Sequence, residues 1–341
     1  MDIYEYIINN QKTFKEEKMN EIDEVILSLI PYIDFQDIVN EPITLHKALN
    51  IFLKTKDKKE FIRKAIFDKD VYKMIELLIK SKRYSDIVLS DYVLINTEEE
   101  QFGAISMRLP NGILYIGYEG TDILLSGWKE DGQLSYLNPI PAQEDALKYA
   151  KRAIKFTDMK VILGGHSKGG NLALYTAINL PLIERLKLQE IVSVDGPGLL
   201  KEQINTKEYN RITKRYKHYM PNYSMVGILL ENTNNIIVKS NRVDIYAHSP
   251  YKWPIEKNMF IRTEQSEFSI KLSNKIDTWL ENHNKEERKQ VIEDIFDIFK
   301  RLNIKDLHQI KNPINIIRII KEAKKLDQST KDILKSIIGG Q

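Results

Sequence analysis

Near its middle the chain reads Val161-Ile162-Leu163-Gly164-Gly165-His166-Ser167-Lys168-Gly169-Gly170-Asn171-Leu172-Ala173-Leu174-Tyr175. An apolar run ends at Leu163, and an Ala/Leu-rich helical stretch begins after Ser167. Between them Gly165-His166-Ser167-Lys168-Gly169 has the form G-x-S-x-G. Five residues alone are a weak signal. A strand before them and a helix after them make the stretch a nucleophile elbow, a sharp turn that strains the serine backbone and exposes its Oγ. Gly165 and Gly169 are needed because neighbouring backbones crowd that turn. Gly169, Gly170 and Ala173 let the helix pack close to the strand. The helix N-terminus favours negative charge near Ser167. A phosphate-binding loop is the rival reading, but neither G-x-x-x-x-G-K-[ST] nor G-x-G-x-x-G spacing is present.

Outward from the elbow, strands alternate with helices. Strands are expected at 87–95, 101–109 and 113–118, with Pro110-Asn111-Gly112 as a tight turn between the last two. A helix is expected over 141–156, then the elbow strand and helix, then strands at 191–194, 212–219 and 236–246. This pattern predicts a mostly parallel α/β sheet opened by an antiparallel hairpin. Residues 1–85 read as helical. Ile22, Val25, Ile26, Leu29 and Ile30 recur at helical spacing, and Pro31 stops that helix. A second apolar helix is expected over 59–80. Residues 256–341 return to helix after a core spanning 86–255.

An acyl-transfer serine needs two backbone N–H donors, a base and an acid. The residue after the nucleophile, Lys168, supplies one donor. The loop after the strand at 113–118, containing Gly120-Thr121, stands where the other belongs. In α/β-hydrolases the chain order is serine, acid, histidine. Four of the six histidines follow Ser167: His218, His248, His283 and His308. His283 and His308 lie in charged helical stretches, and His218 lies inside an expected strand. His248 follows Val243–Ala247, read as a strand end, and sits on the loop beyond it, where a base belongs. His166 is locked beside the nucleophile and reads as a neighbour. Asp195 caps the next strand, ahead of Gly196-Pro197-Gly198, and is the expected acid. The alternative is that Asp195 caps a following helix. Asp244 is placed inside the strand before His248.

The chain has 341 residues, 42% hydrophobic and 29% charged, a globular composition. It contains no cysteine, which excludes disulfides, Cys-ligated zinc, iron–sulfur clusters and a Cys nucleophile, and fits a cytoplasmic location. No signal peptide and no membrane span are read. Lys+Arg 51 against Asp+Glu 48 gives +3, too balanced for a general nucleic-acid binder. Residues 300–341 nevertheless hold ten Lys/Arg and four Asp/Glu, so this tail is +6 and the remainder −3.

YEGTD at 118–122, GWKED at 127–131, GHSKGGNLALY at 165–175, DGPG at 195–198, PNYSMVG at 221–227 and AHSPYKW at 247–253 together resemble the bacterial Mbeg-like α/β-hydrolases, distant relatives of class 3 lipases. FKEEKMNEIDEVILSLIPYIDF at 14–35 is similar to that family's usual opening. The resemblance spans residues 1 to about 260 and implies Thr121 as the second oxyanion residue. Glu119 stands where class 3 lipases have Arg. Those lipases also place the acid one strand later, near Pro221-Asn222-Tyr223-Ser224, where this chain has no carboxylate.

The expected activity is that of a serine hydrolase cleaving carboxylic esters, with a small-molecule or lipid acyl ester as substrate and no cofactor. Thioesterase and acyltransferase chemistry would use the same parts. A catalytically inactive scaffold on the same fold is the alternative from another class. In the tail, Ile316, Ile319, Ile320, Ala323 and Leu326 form one helical face among Arg318, Lys321, Lys324 and Lys325. A basic amphipathic helix of this kind suits an anionic membrane surface. Packing on the hydrolase body with a solvated basic face is the competing reading.

Overall fold

A computed structural model describes residues 1–61, 68–97, 99–122, 124–310, 312–326, 328, 330 and 331. Ile62, Ala65 and Ile66 of the expected 59–80 helix lie outside the described residues, as do residues 332–341 of the tail.

Eight strands form one sheet whose spatial order follows the sequence. They are β1 (Ile43–Thr44), β2 (Val88–Asn96), β3 (Gln101–Arg108), β4 (Ile113–Tyr118), β5 (Lys160–His166), β6 (Leu188–Val194), β7 (Tyr216–Pro221) and β8 (Asn235–Val238). β1 to β4 pair antiparallel, and β4 to β8 pair parallel. With helices on both faces and helical arms at both ends of the chain, this is the expected α/β-hydrolase fold.

Period-two alternation splits the strands between two cores. In β5, Val161 and Leu163 join the cluster of the helices Pro141–Lys155 and Lys168–Asn179, whereas Ile162 joins the cluster of the N-terminal helices. In β4, Leu114, Ile116 and Tyr118 take the first side and Tyr115 the second. Both faces are thus covered, as a parallel sheet requires.

The N-terminal segment is bound to the sheet by more than apolar contact. Its helix Glu21–Leu29 lies across β4, β5 and β6. Glu24 accepts from Lys217 Nζ (2.7 Å) and Tyr219 Oη (2.8 Å) of β7, and burial pushes its carboxyl up to about 7. Asp23 and Arg83 form a fully buried pair at 2.6 Å, and the Tyr84 hydroxyl donates to the same carboxylate at 2.7 Å. Pro31 then falls in the short 3-10 turn Ile30–Tyr32, which ends the helix and carries Tyr32 toward the elbow.

Two expected strands are shorter than their apolar content suggests. Residues 212–215 are not strand: Ile212 closes the helix Lys207–Ile212, capped by Thr206, and Thr213–Arg215 make a 3-10 turn. Residues 239–246 are not strand either. Their backbone donors are taken away from the ladder: Ser240 N–H by the Asn222 side chain (3.0 Å) and Asn241 N–H by the Lys252 carbonyl (3.0 Å). Asp244 is not inside a strand; it caps the 3-10 helix Ile245–His248 by accepting from Tyr246 N–H (3.0 Å). His248 therefore leaves a helical turn and not a strand end. Among the described residues, no helix is long and apolar enough to cross a membrane.

Candidate active site

The carboxyl ends of β4, β5, β6 and β7 lie side by side at one edge of the sheet, the usual ligand position in an open α/β sheet. β5 ends at His166, and Ser167 follows with φ 58° and ψ −131°. This left-handed conformation costs a non-glycine residue roughly 1–3 kcal/mol and persists only where surroundings impose it. Here they do. Ser167 N–H donates to the Val194 carbonyl (2.9 Å), and the Ser167 carbonyl accepts from Gly170 N–H (2.9 Å). The helix Lys168–Asn179 starts at once. A Cβ on Gly165 would stand 2.4 Å from the Gly169 carbonyl carbon, so neither position tolerates a side chain. The strand, sharp turn and helix expected around Ser167 are present, with Ser167 at the turn.

Asp195 follows β6, also at positive φ (47°), and is fully buried. Its Oδ2 is 2.7 Å from His248 Nδ1. Its Oδ1 accepts from Ser224 Oγ (2.6 Å) and Gly227 N–H (3.1 Å). The segment where class 3 lipases carry the acid thus supplies a hydroxyl that holds Asp195 instead. The helix-cap alternative for Asp195 fails: its carboxylate is spent on these three donors, and the N-cap position of the helix Lys201–Ile204 is Leu200, whose N–H donates to the Gln203 side chain (3.0 Å).

His248 is buried, and its main chain is tied on both sides. Trp253 Nε1–H donates to the Ala247 carbonyl (2.8 Å), and His166 Nε2 lies 2.9 Å from the His248 carbonyl. The two imidazoles lie against each other, centroids 4.3 Å apart and planes tilted by 35°. A carbonyl only accepts, so His166 Nε2 carries the proton and its Nδ1 accepts from the Tyr32 hydroxyl (2.8 Å). Burial, reinforced by His248, holds His166 well below the usual imidazole range, which keeps this tautomer neutral. His166 is therefore more than a neighbour: it positions the His248 backbone. His248 donates from Nδ1 to Asp195, leaving Nε2 as the nitrogen that can take or give a proton. His218 does not reach the surface. It is fully buried in β7, with Nδ1 2.8 Å from Asn235 Oδ1, and burial lowers its pKa.

The other flank of Ser167 is the loop after β4. A Cβ on Gly120 would stand 2.6 Å from the His166 carbonyl and 3.0 Å from Ser167 Cβ, so this loop passes directly against the serine. Thr121 Oγ1 donates to Asp131 Oδ2 (2.7 Å), fixing the loop to the helix Leu125–Gln133. Burial pushes the Asp131 carboxyl up to about 6, although Lys168 pulls it down. Lys168 opens the elbow helix, so its N–H is one of the first helical donors, which have no partner inside the helix. Its side chain runs inward to Glu130 Oε2 (2.6 Å) and the Gln101 carbonyl (2.8 Å). Glu130 in turn accepts from Ala142 N–H at 3.1 Å.

Tyr32, Glu130, Asp131 and Ser224 received no role from the sequence. The last three lie in segments already singled out, GWKED and PNYSMVG. Tyr32 lies 134 residues before His166, and only the fold brings the two together.

Beside known proteins, the family model described as Mbeg1-like matches residues 78–297, a stretch that holds Thr121, Ser167, Lys168, Asp195 and His248. No curated protein matches the chain. Among solved structures it is similar to the crystal structure of M37 lipase, at 14% identity and a TM-score of 0.35, over 60% of this chain and 68% of that one. A family match over residues 78–297, more than half of the chain, identifies this protein as a member of the Mbeg1-like family.

Proposed function

We propose that this protein is a serine hydrolase that cleaves carboxylic esters through an acyl-enzyme on Ser167. The observation that carries the reading is the 2.7 Å contact between His248 Nδ1 and Asp195 Oδ2, in a chain whose elbow serine is held at positive φ. Ser167 Oγ attacks the ester carbonyl while His248 Nε2 takes its proton. Asp195 fixes the tautomer and stabilises the imidazolium. The N–H groups of Thr121 and Lys168 hold the oxyanion as it forms. His248 then returns the proton to the leaving alcohol, and water, deprotonated by the same nitrogen, releases the acid.

The scaffold alternative draws on the absence of a carboxylate near Pro221-Asn222-Tyr223-Ser224, and the contact of Asp195 with His248 supports the hydrolase reading over it. Ester, thioester and acyl-transfer chemistry share these parts, so the preferred acceptor and chain length are read with a panel of p-nitrophenyl and thioester substrates. A fluorophosphonate probe on the purified full chain tests the nucleophile. Wild type is expected to label and Ser167→Ala to stay dark. Ser167→Ala and His248→Ala should each lose at least ~10³-fold in ester turnover, the scale of triad knockouts. An unlabelled wild type, or equal labelling of Ser167→Ala, overturns the proposal.

A further inference from the structure

The helix Pro313–Ala323 has two apolar faces, and the fold uses one of them. Ile319 and Ala323 are buried in a cluster with Leu125, Ile295, Ile298 and Phe299. The sequence grouped Ile320 with this inward face, and the structure corrects that. Ile320 is 52% exposed, with Ile314 at 68% and Ile317 at 67%. At about 100° per residue these three isoleucines share one arc of about 120°. Arg318, Lys321, Lys324 and Lys325 interleave with them or flank them, all exposed. The helix's one acid, Glu322, stands off that arc, half-buried beside Lys325 (3.2 Å) and Arg301 (4.0 Å). Packing therefore claims the face first expected to meet lipid, and leaves a second face of three isoleucines among cations.

That combination selects its occupant. An apolar groove on another protein would bury the cations without counter-charge. A second copy would bring an equally basic tail, +6 over residues 300–341, against this one. An anionic bilayer satisfies both parts, with isoleucines among the acyl chains and cations at the phosphates. We infer that the outward face of this helix docks the protein on anionic lipid surfaces.

The docked arm is continuous with the oxyanion flank. Leu125 N–H donates to the Lys305 carbonyl (3.0 Å), Leu124 bridges to Asp306, and Leu125 belongs to the same cluster as Ile319. The helix that fixes Thr121 through Asp131 thus sits on the lipid-docking arm. The inference does not depend on hydrolysis at Ser167, and its test is separate.

The full chain is sedimented with phosphatidylcholine vesicles, alone or with about 30% phosphatidylglycerol. Binding is expected on the anionic vesicles, about tenfold weaker on neutral ones, and weaker in high salt. The triple variant Ile314→Ser, Ile317→Ser, Ile320→Ser should lose about tenfold in binding while keeping its melting curve, since these side chains lie outside the core. Arg318→Gln with Lys321→Gln and Lys324→Gln should remove the preference for anionic lipid. Ile317→Trp should shift its fluorescence to the blue on anionic vesicles only. Ser167→Ala should bind as wild type does, which separates this result from the hydrolase test. Absence of an anionic preference in wild type, or unchanged binding by the isoleucine triple variant, overturns the inference. So does a deletion of 332–341 that abolishes binding retained by the triple variant, or a dimer that the isoleucine changes disperse without any vesicle binding.

Discussion

On one flank of Ser167 the proposed base, His248, is held by neutral hydrogen bonds: Tyr32 donates to His166, His166 donates to the His248 carbonyl, and Trp253 anchors the residue before it. On the other flank the segment of the proposed oxyanion donor Thr121 is held through charge. Lys168 and Glu130 are buried against each other beneath the elbow helix, and Asp131 grips Thr121. The first arrangement carries little desolvation cost, so its loss should appear in turnover more than in folding. The second consists of ions that are costly to leave unpaired, so its loss should appear in folding. Asp195 belongs to the base flank but is its one charged member, and it should give the largest effect on rate.

Asp195→Asn sets an amide against the Nδ1–H of His248, and either the contact is lost or the imidazole takes the other tautomer. Ester turnover should fall by ~10³–10⁴-fold with the fold intact, because Ser224 and Gly227 can still donate to the amide oxygen. Steady-state kinetics beside a thermal melt checks this. Turnover within a few-fold of wild type would remove Asp195 from the proposed mechanism and end the contrast between the flanks.

Glu130→Ala strands a buried ammonium. Loss of one partner of a buried pair typically costs ~3–5 kcal/mol, and urea unfolding should register a loss of that order. Adding Lys168→Met should recover much of it, since the second change removes the stranded charge. A double variant as unstable as Glu130→Ala alone would show that the pair is not what holds this flank.

His166→Phe keeps a ring against His248 and removes both hydrogen bonds. One such bond, worth ~1 kcal/mol, corresponds to a kcat about five- to tenfold lower with KM unchanged. Tyr32→Phe should cost less, because His166 Nε2–H still reaches the His248 carbonyl. If His166→Phe lowered the melting point more than Glu130→Ala does, the neutral flank would be the structural one.

These contrasts were partly legible beforehand. The elbow, Asp195 and His248 follow from local signals, because each sits at the end of a short apolar strand or turn that the chain announces with Gly, Pro or Asp. The support for His248 was misread: Val243–Ala247 looks like strand, and only tertiary hydrogen bonds to Asn222 and Lys252 draw its approach away from the ladder. Tyr32 was beyond reach, since nothing in IPYIDF specifies what a tyrosine 134 residues before His166 will touch. Lys168 was legible as a backbone donor but not as a buried ion, since a lysine at the start of a helix normally projects into water. The tail's periodicity was read correctly as amphipathic, but a helix with apolar residues on two sides gives no indication of which side the body will take.

The last expected effect is on how stability depends on pH; it concerns Asp131, and it tests whether charge on the Thr121 flank is a cost. Burial raises its carboxyl from 3.8 to about 6, so the folded chain binds this proton more tightly than the unfolded chain. Below about pH 4 both states hold the proton and the contribution is constant. Between about 4 and 6 the unfolded state has released it while the folded state retains it. Stability from this group therefore falls as pH rises through that window. Glu24 and Glu100, both pushed up to about 7 by burial, slope in the same direction, so wild type alone cannot isolate Asp131. Asp131→Asn can: its oxygen still accepts from Thr121, and it has no proton to lose. Melting temperatures of the two proteins from pH 4 to 7 should diverge, with the variant gaining relative to wild type as pH rises. Parallel curves would mean that Asp131 keeps an ordinary carboxylate pKa in the folded chain, and that the Lys168–Glu130 pair alone accounts for the charged character of this flank.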